Sequence, residues 1–367
     1  MKLYKIIIFL LVFSIFGNCQ SLKNIPEKVN YIYSGRVDVS QPQFLKLIGP
    51  ASSLAFNFTG NVVVSLSLKN SPFQGYYNYI SVEIDGKYQG RYKVDYNDFK
   101  TFTLSVADVS KKVHDIKIVK STEAAMGEVV IDISSIATIP FAMINRKKIE
   151  FIGDSITCGF GNDESGLPCG QGQWFDQHNA YFSYGAILSR NLNADFLLSS
   201  VSGYGMYRNW NSEKWEEDIF PDVYDYLYLR RSEALKFGDE FQPDLVSICL
   251  GTNDLSDGDG KKERLPFNQY KYIGNYIELI QKIYKKYPHT RIVLLTSPMV
   301  NGERNKVFVE CLRKVKDFFK DDKVHHPIEL FEFTSITPKG CGYHPDIRNA
   351  QEMASQLEST FKKLLNE

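Results

Sequence analysis

Four short segments of this chain carry residue types suited to acyl transfer, each set beside glycine. They are Gly153-Asp154-Ser155-Ile156-Thr157, Ser202-Gly203-Tyr204-Gly205, Gly251-Thr252-Asn253-Asp254 and Gly340-Cys341-Gly342-Tyr343-His344-Pro345. A serine hydroxyl is a weak nucleophile until a neighbouring base takes its proton, and histidine titrates in the range where it can do so. Ser155 and His344 are therefore the candidate nucleophile and general base. The oxyanion formed by attack on a carbonyl needs fixed donors where its charge develops. The backbone N–H groups of Ser155 and Gly203 and the side-chain amide of Asn253 are the candidate donors, and glycine at 203 lets the backbone come close to substrate. Ser155 is not in a G-x-S-x-G elbow, so this is not an ordinary α/β-hydrolase arrangement.

These segments become a site only if the fold brings them together. From about Asn145 onward apolar strands alternate with amphipathic helices. Strands are predicted at Lys148 to Ile152, Asp195 to Val201, Asp244 to Leu250, Arg291 to Thr296 and Ile328 to Phe333. Helices are predicted at Ala180 to Leu192, Phe267 to Tyr287, Asn305 to Lys320 and Ile347 to Leu365. Strand–helix alternation makes a parallel sheet covered on both faces, with ligands bound beyond the carboxyl ends of its strands. Each of the four segments follows such a strand, so a serine, a glycine, an asparagine and a histidine converge on one edge. Ser155 taken alone reads better as a helix N-cap than as a nucleophile; the combination of the four segments favours chemistry.

Residues from about Asn30 to Ile144 have a different texture. Short runs such as Leu54 to Phe58, Asn61 to Leu68, Tyr79 to Ile84, Lys100 to Leu104 and His114 to Val119 are β-branched and aromatic, and turn signals such as Asp85-Gly86-Lys87 punctuate them. Closely spaced strands of this kind predict a β-sandwich. The expected organisation is thus an N-terminal β-sandwich at residues 30–145 followed by a three-layer α/β/α domain with a parallel sheet at 146–367.

Lysine plus arginine equals aspartate plus glutamate, 43 each, which gives no basic footprint for nucleic acid. Lys2 and Lys5, the apolar run Ile6 to Phe16 and the small residues after it read as a secretory signal over residues 1–19, too short to span a bilayer comfortably. Cys19 stands where a bacterial lipoprotein is cleaved and acylated, although Asn18 is bulkier than the usual residue before that cysteine. Export to the periplasm or outer surface is expected, with or without a lipid anchor. The remaining cysteines, Cys158, Cys169, Cys249, Cys311 and Cys341, form no C-x-x-C pair, allow one or two disulfides and leave the pairing open. Asp254 and Asp257 lack histidine partners at ligand spacing, so no metal site is predicted. The other histidines, His114, His178, His289, His325 and His326, end no comparable motif. Trp174, Trp210, Tyr343 and Asp254 fall in or beside the four segments and are the candidate substrate contacts, the aromatic ones as faces for a sugar ring.

In order, Gly153-Asp154-Ser155, Gly203, Gly251-Thr252-Asn253-Asp254 and His344-Pro345 resemble the four blocks of the SGNH (GDSL-type) hydrolases. The longer strings Gly153 to Gly161 and Gly340 to Pro345 resemble family 2 of the carbohydrate esterases, and Ser121-Thr122-Glu123-Ala124 with Gly127 looks like the end of that family's N-terminal jelly roll. The resemblance implies hydrolysis of acetyl esters on O-acetylated polysaccharide or oligosaccharide, of the acetylxylan or acetyl-glucomannan type, with no cofactor. One position departs from the pattern: many SGNH hydrolases have an aspartate three residues before the histidine, and here it is Cys341. A backbone carbonyl is then expected to orient His344, giving a Ser–His dyad. Two alternatives stay open at this point, an esterase, lipase or thioesterase for another acyl group and a non-catalytic carbohydrate-binding protein.

Overall fold

The computed structural model of the protein describes residues 28–59, 63–106, 111–334 and 336–366. The apolar N-terminal run and Cys19 lie outside the described residues. The first half forms two five-stranded antiparallel sheets packed face to face. One holds, in spatial order, Tyr31–Ser34, Ser53–Thr59, Val113–Lys120, Asn78–Ile84 and Lys87–Val94; the other holds Val37–Asp38, Phe44–Leu47, Gly127–Asp132, Val63–Pro72 and Lys100–Ser105. Alternation drives this packing: in Val63–Pro72, Val64, Leu66 and Leu68 are buried between exposed or half-buried neighbours. They join Leu54, Phe56, Ile80, Val82, Ile116, Ile118, Val129 and Ile131 in one core. Lys87–Val94, which sequence pattern does not single out, is an edge strand with mostly half-buried or exposed residues and Gly90 inside it. Edge strands carry weak alternation because neither face is fully covered.

The second half is built on a five-stranded parallel sheet in the spatial order Asp195–Ser200, Lys148–Gly153, Leu245–Cys249, Arg291–Leu295, Glu329–Phe331. Every residue of Leu245–Cys249 is buried, as a strand covered on both faces requires. Gln269–Lys286 and Gly302–Phe318 cover one face, packing Tyr272, Tyr276, Ile280, Phe308 and Leu312 on Ile248 and Leu294. Tyr184–Asn191 and Ile347–Asn366 cover the other, packing Leu188, Met353, Leu357 and Phe361 on Phe151, Leu198 and Val293. The single helix expected from Ala180 divides at Ser183, which caps the α-helical part by accepting the Ala186 N–H at 3.4 Å; the preceding turn is 3₁₀. The chain reverses direction across the sheet between Lys148–Gly153 and Leu245–Cys249, the switch point where such sheets bind ligands.

The two halves are joined through buried polar groups. Arg36, fully buried, donates to Ser199 Oγ (2.9 Å), Tyr224 O (3.0 Å) and Tyr226 O (2.8 Å). Ser199 and Tyr224 in turn donate to the buried carboxylate of Glu150 at 2.6 and 3.0 Å. A buried cation is stabilised by pairing and hydrogen bonds, and here both terminal nitrogens of the arginine of one half donate to groups of the other.

Candidate active site

Ser155 is the first residue of the short helix Ser155–Cys158, directly after the strand Lys148–Gly153. Asp154 is the cap, its side chain accepting the Ile156 N–H at 3.0 Å. Gly153 is required by the tightness of the turn, because a Cβ there would stand 2.0 Å from Thr157 Oγ1. The Ser155 hydroxyl lies 2.8 Å from His344 Nε2, and His344 Nδ1 lies 2.8 Å from the carbonyl oxygen of Gly342. A carbonyl can only accept, so Nδ1 carries the proton and Nε2 presents its lone pair to the serine O–H. This is the tautomer a general base needs. Burial pushes the His344 pKa down to about 4, opposed by the carbonyls of Gly342 and Cys341, so the ring is neutral at ordinary pH.

No aspartate approaches the imidazole from within its own loop. Asp346 instead accepts the Asn349 N–H at 2.7 Å, in the first turn of the C-terminal helix. Cys341 donates its N–H to Gly161 O at 2.8 Å and is bonded through sulfur to Cys169. The three other described cysteines, Cys158, Cys249 and Cys311, are free and buried. The Phe160 ring packs on the imidazole with centroids 4.2 Å apart. Phe160, the disulfide and the carbonyl of Gly342 thus position His344. Sequence reasoning proposed a carbonyl but identified neither the ring nor the cross-link.

Gly203 has φ +80° and follows the strand Asp195–Ser200; its carbonyl accepts the Trp210 N–H at 2.7 Å. Among the described residues no hydrogen bond engages the N–H of Gly203 or of Ser155. Asn253 is nearly buried and donates one amide hydrogen to Tyr204 O at 2.8 Å, while Asp154 Oδ2 stands at 3.4 Å from the same nitrogen. Two of the three exposed tryptophans border these groups. Trp174 stacks on Phe160 beside the histidine, and Trp210 adjoins Gly203. Tyr343, 87% exposed, precedes His344.

Asp254 is a correction. It was expected to touch substrate, but it is fully buried and accepts the N–H groups of Met206, Tyr207 and Arg208 at 2.8, 2.8 and 3.2 Å. Its carboxylate staples the loop after Gly203 to the turn that carries Asn253. Three consecutive N–H groups offer an anion a ready site, and the nearest carboxylate fills it. Among the described residues one cluster of potential metal ligands is compact enough to chelate, Glu164 with Cys169 and Cys341, and its two sulfurs are joined to each other.

Residues 151–321 match the GDSL-like lipase/acylhydrolase family, and residues 33–138 match the carbohydrate esterase 2 N-terminal domain. The chain is 30% identical to the cellulase/esterase CelE of Acetivibrio thermocellus, over 91% of its own length and 39% of that protein's. It is 28% identical to an acetylxylan esterase/glucomannan deacetylase of Cellvibrio japonicus, over 59% of its own length and 60% of that protein's. It therefore spans less than two thirds of these relatives. The structure of a family two carbohydrate esterase from Clostridium thermocellum in complex with cellohexaose superposes with a TM-score of 0.77 at 28% identity, over 92% of this chain and 99% of that one.

Proposed function

We propose that this chain, which belongs to the GDSL-type hydrolases carrying a carbohydrate esterase 2 N-terminal domain, removes acetyl groups from O-acetylated polysaccharide or oligosaccharide. The observation that carries the reading is the Ser155–His344–Gly342 chain of contacts, a nucleophile and a base in the right tautomer without a carboxylate. Ser155 Oγ attacks the acetyl carbonyl while His344 Nε2 takes its proton. The oxyanion is received by the unengaged N–H groups of Ser155 and Gly203 and by the Asn253 amide, which exchanges its long 3.4 Å contact with Asp154 Oδ2 for the oxyanion. Collapse expels the sugar oxygen, which His344 protonates, and leaves acetyl-Ser155. Water then attacks the acyl carbon, giving its proton to His344, and acetate departs as the serine is regenerated.

The xylan and glucomannan class of substrate is supported by the names of the relatives and by two exposed indoles, Trp174 stacked on Phe160 beside His344 and Trp210 beside Gly203. Export, with Cys19 as the acceptor of a lipid, is supported by the N-terminal pattern; membrane fractionation of Cys19→Ala against the native chain tests it. The function is tested by acetate release from acetylated xylan, glucomannan and aryl acetates, with Ser155→Ala alongside. The expected result is release by the native chain and a loss of about 10³-fold or more in the variant. Retention of a sizeable fraction by Ser155→Ala overturns the assignment.

A further inference from the structure

The sandwich half reaches beneath the dyad through one carboxylate. Glu123 leads into the turn Ala124–Met126 before the strand Gly127–Asp132, and its side chain is fully enclosed, 1% exposed. Its Oε2 accepts the Ser202 N–H at 2.8 Å and lies 3.6 Å from Cys158 Sγ. Ser202 immediately precedes Gly203, and Cys158 ends the helix that Ser155 begins. One oxygen from one domain therefore touches both segments that offer oxyanion donors in the other.

A buried carboxylate is costly to keep, so its surroundings show what maintains it. Lys120, also fully buried, donates to the carbonyls of Thr122 and Glu123 at 2.9 and 2.7 Å and places a positive group beside the site. The second oxygen, Oε1, has no hydrogen-bond partner among the described residues and faces His178 Nδ1 at 3.8 Å. Burial raises the pKa of Glu123 and lowers that of Lys120 to about 7.

The geometry at Gly203 explains why such a group is useful. Glycine has wide backbone freedom, and at φ +80° nothing in its own structure fixes where its N–H points. Orientation must come from the flanking peptides. On one side the Gly203 carbonyl is held by Trp210, and on the other the Ser202 N–H is held by Glu123. With both neighbours fixed, the direction of the unengaged Gly203 N–H is fixed with them.

We infer that Glu123 is a positioning residue for the deacetylation: the sandwich domain sets the oxyanion-binding turn of the hydrolase domain. The inference rests on the Ser155–His344 reading above, and no step of proton transfer passes through Glu123. Because the carboxylate stabilises a donor that matters in the transition state, its loss lowers kcat and leaves KM nearly unchanged.

The experiment compares Glu123→Ala, Glu123→Gln and Glu123→Asp with the native chain on an aryl acetate, measuring kcat, KM, thermal midpoint and affinity for an alkyl boronic acid that mimics the tetrahedral adduct. Glu123→Ala is expected to lose about 10- to 100-fold in kcat at constant KM, with boronate affinity falling in parallel. Glu123→Gln keeps an oxygen for the Ser202 N–H and is expected to recover most of that loss. Where Glu123→Ala does not fold, Glu123→Asp decides, since it keeps the charge but withdraws the oxygen. Unchanged kcat and boronate affinity in a folded Ala or Asp variant overturn the proposal, as does a Gln variant as impaired as Ala. Activity surviving in Ser155→Ala instead overturns the underlying reading, so the two failures are distinguishable.

Discussion

Ser155 and His344 lie 2.8 Å apart but are held by different physics. The serine stands at the end of an interior strand of the parallel sheet, on a helix whose four residues are all buried, with Asp154 as its cap. Its position is a consequence of the core, because Phe151 and Ile152 cannot move without opening both layers of packing. The histidine sits after a 3₁₀ turn, Cys341–Tyr343, in which Gly342 and Tyr343 both have positive φ. That segment is held by the Cys169–Cys341 cross-link, the Cys341 N–H on Gly161, the Gly342 carbonyl and the Phe160 ring. The nucleophile is placed by the fold, and the base is placed by local attachments that can be removed singly.

The comparison breaks completely at His344→Ala, which removes the base and leaves the serine side intact. The expected loss in kcat is about 10²- to 10⁴-fold with the thermal midpoint little changed, measured on an aryl acetate beside a melting curve. A loss below tenfold would mean that another base serves Ser155. Next in size is the cross-link. Cys169→Ser, or reduction of the native chain, frees the histidine segment from the 162–179 loop. A displacement of the base by about 1 Å costs up to about 100-fold, and removal of the cross-link costs stability of about 2–4 kcal/mol. A lowered midpoint with unchanged kcat would assign the disulfide to stability alone and remove the contrast drawn above.

The two sides also differ in how legible they are in sequence. Ser155, Gly203 and Asn253 follow strands announced by apolar runs, so the edge on which they meet can be inferred without coordinates. His344 can be picked out by its motif and a carbonyl expected as its partner, but the cross-link and the ring that hold it cannot. The partner of Cys341 is 172 residues away in sequence, and five cysteines with no characteristic spacing leave the pairing open. Phe160 lies inside the Gly153 to Gly161 string, yet nothing in a pattern says that its ring will face an imidazole. Asp254 failed for a related reason: a carboxylate beside a catalytic asparagine looks available to substrate until three N–H groups are found to occupy it. Glu123 stands inside a recognisable string and Arg36 in none, but the role of neither is legible, because a buried charge that joins two domains has no periodic signature. The strands of the parallel sheet and the longer helices were readable; in the sandwich the interior strands Phe44–Leu47 and Gly127–Asp132 and the edge strand Lys87–Val94 were not, the last because its polar faces resemble a loop.

The pH response sharpens the contrast by a smaller amount. His344 has a folded pKa of about 4 against an ordinary 6.5, so its active neutral form persists into mildly acidic solution. The acid limb of kcat/KM is expected well below 6.5, towards about 4, with a tenfold fall for each further unit. Stability follows the same sign. The unfolded chain binds this proton first, so the contribution of His344 is present above 6.5 and declines as the pH falls from there through about 4. In Cys169→Ser the ring gains access to water, and its acid limb is expected to move up towards 6.5. An unmoved limb would show that the cross-link does not govern the burial of the ring.

The smallest effect comes from Phe160, which spans the two sides. Its N–H donates to Ser155 O at 3.0 Å, while its ring packs on His344 and, at 4.4 Å, on the buried His178. Phe160→Leu keeps the apolar volume and the backbone bond but removes the flat face against the imidazole. An aromatic contact of this kind is worth about 0.5–1.5 kcal/mol, which corresponds to a fall of about 2- to 10-fold in kcat if the ring's orientation depends on it. The decisive measurement is the double variant with Cys169→Ser. The ring and the cross-link act on one mobile object, so their effects should couple and the combined loss should exceed the product of the single losses. With the disulfide intact the segment stays in place and loss of the ring frees only the tilt of the imidazole; without it, the ring is what remains to hold the base. A strictly multiplicative result would mean that Phe160 acts through the serine side, by the Ser155 contact, and would place it with the fold-held half of the dyad.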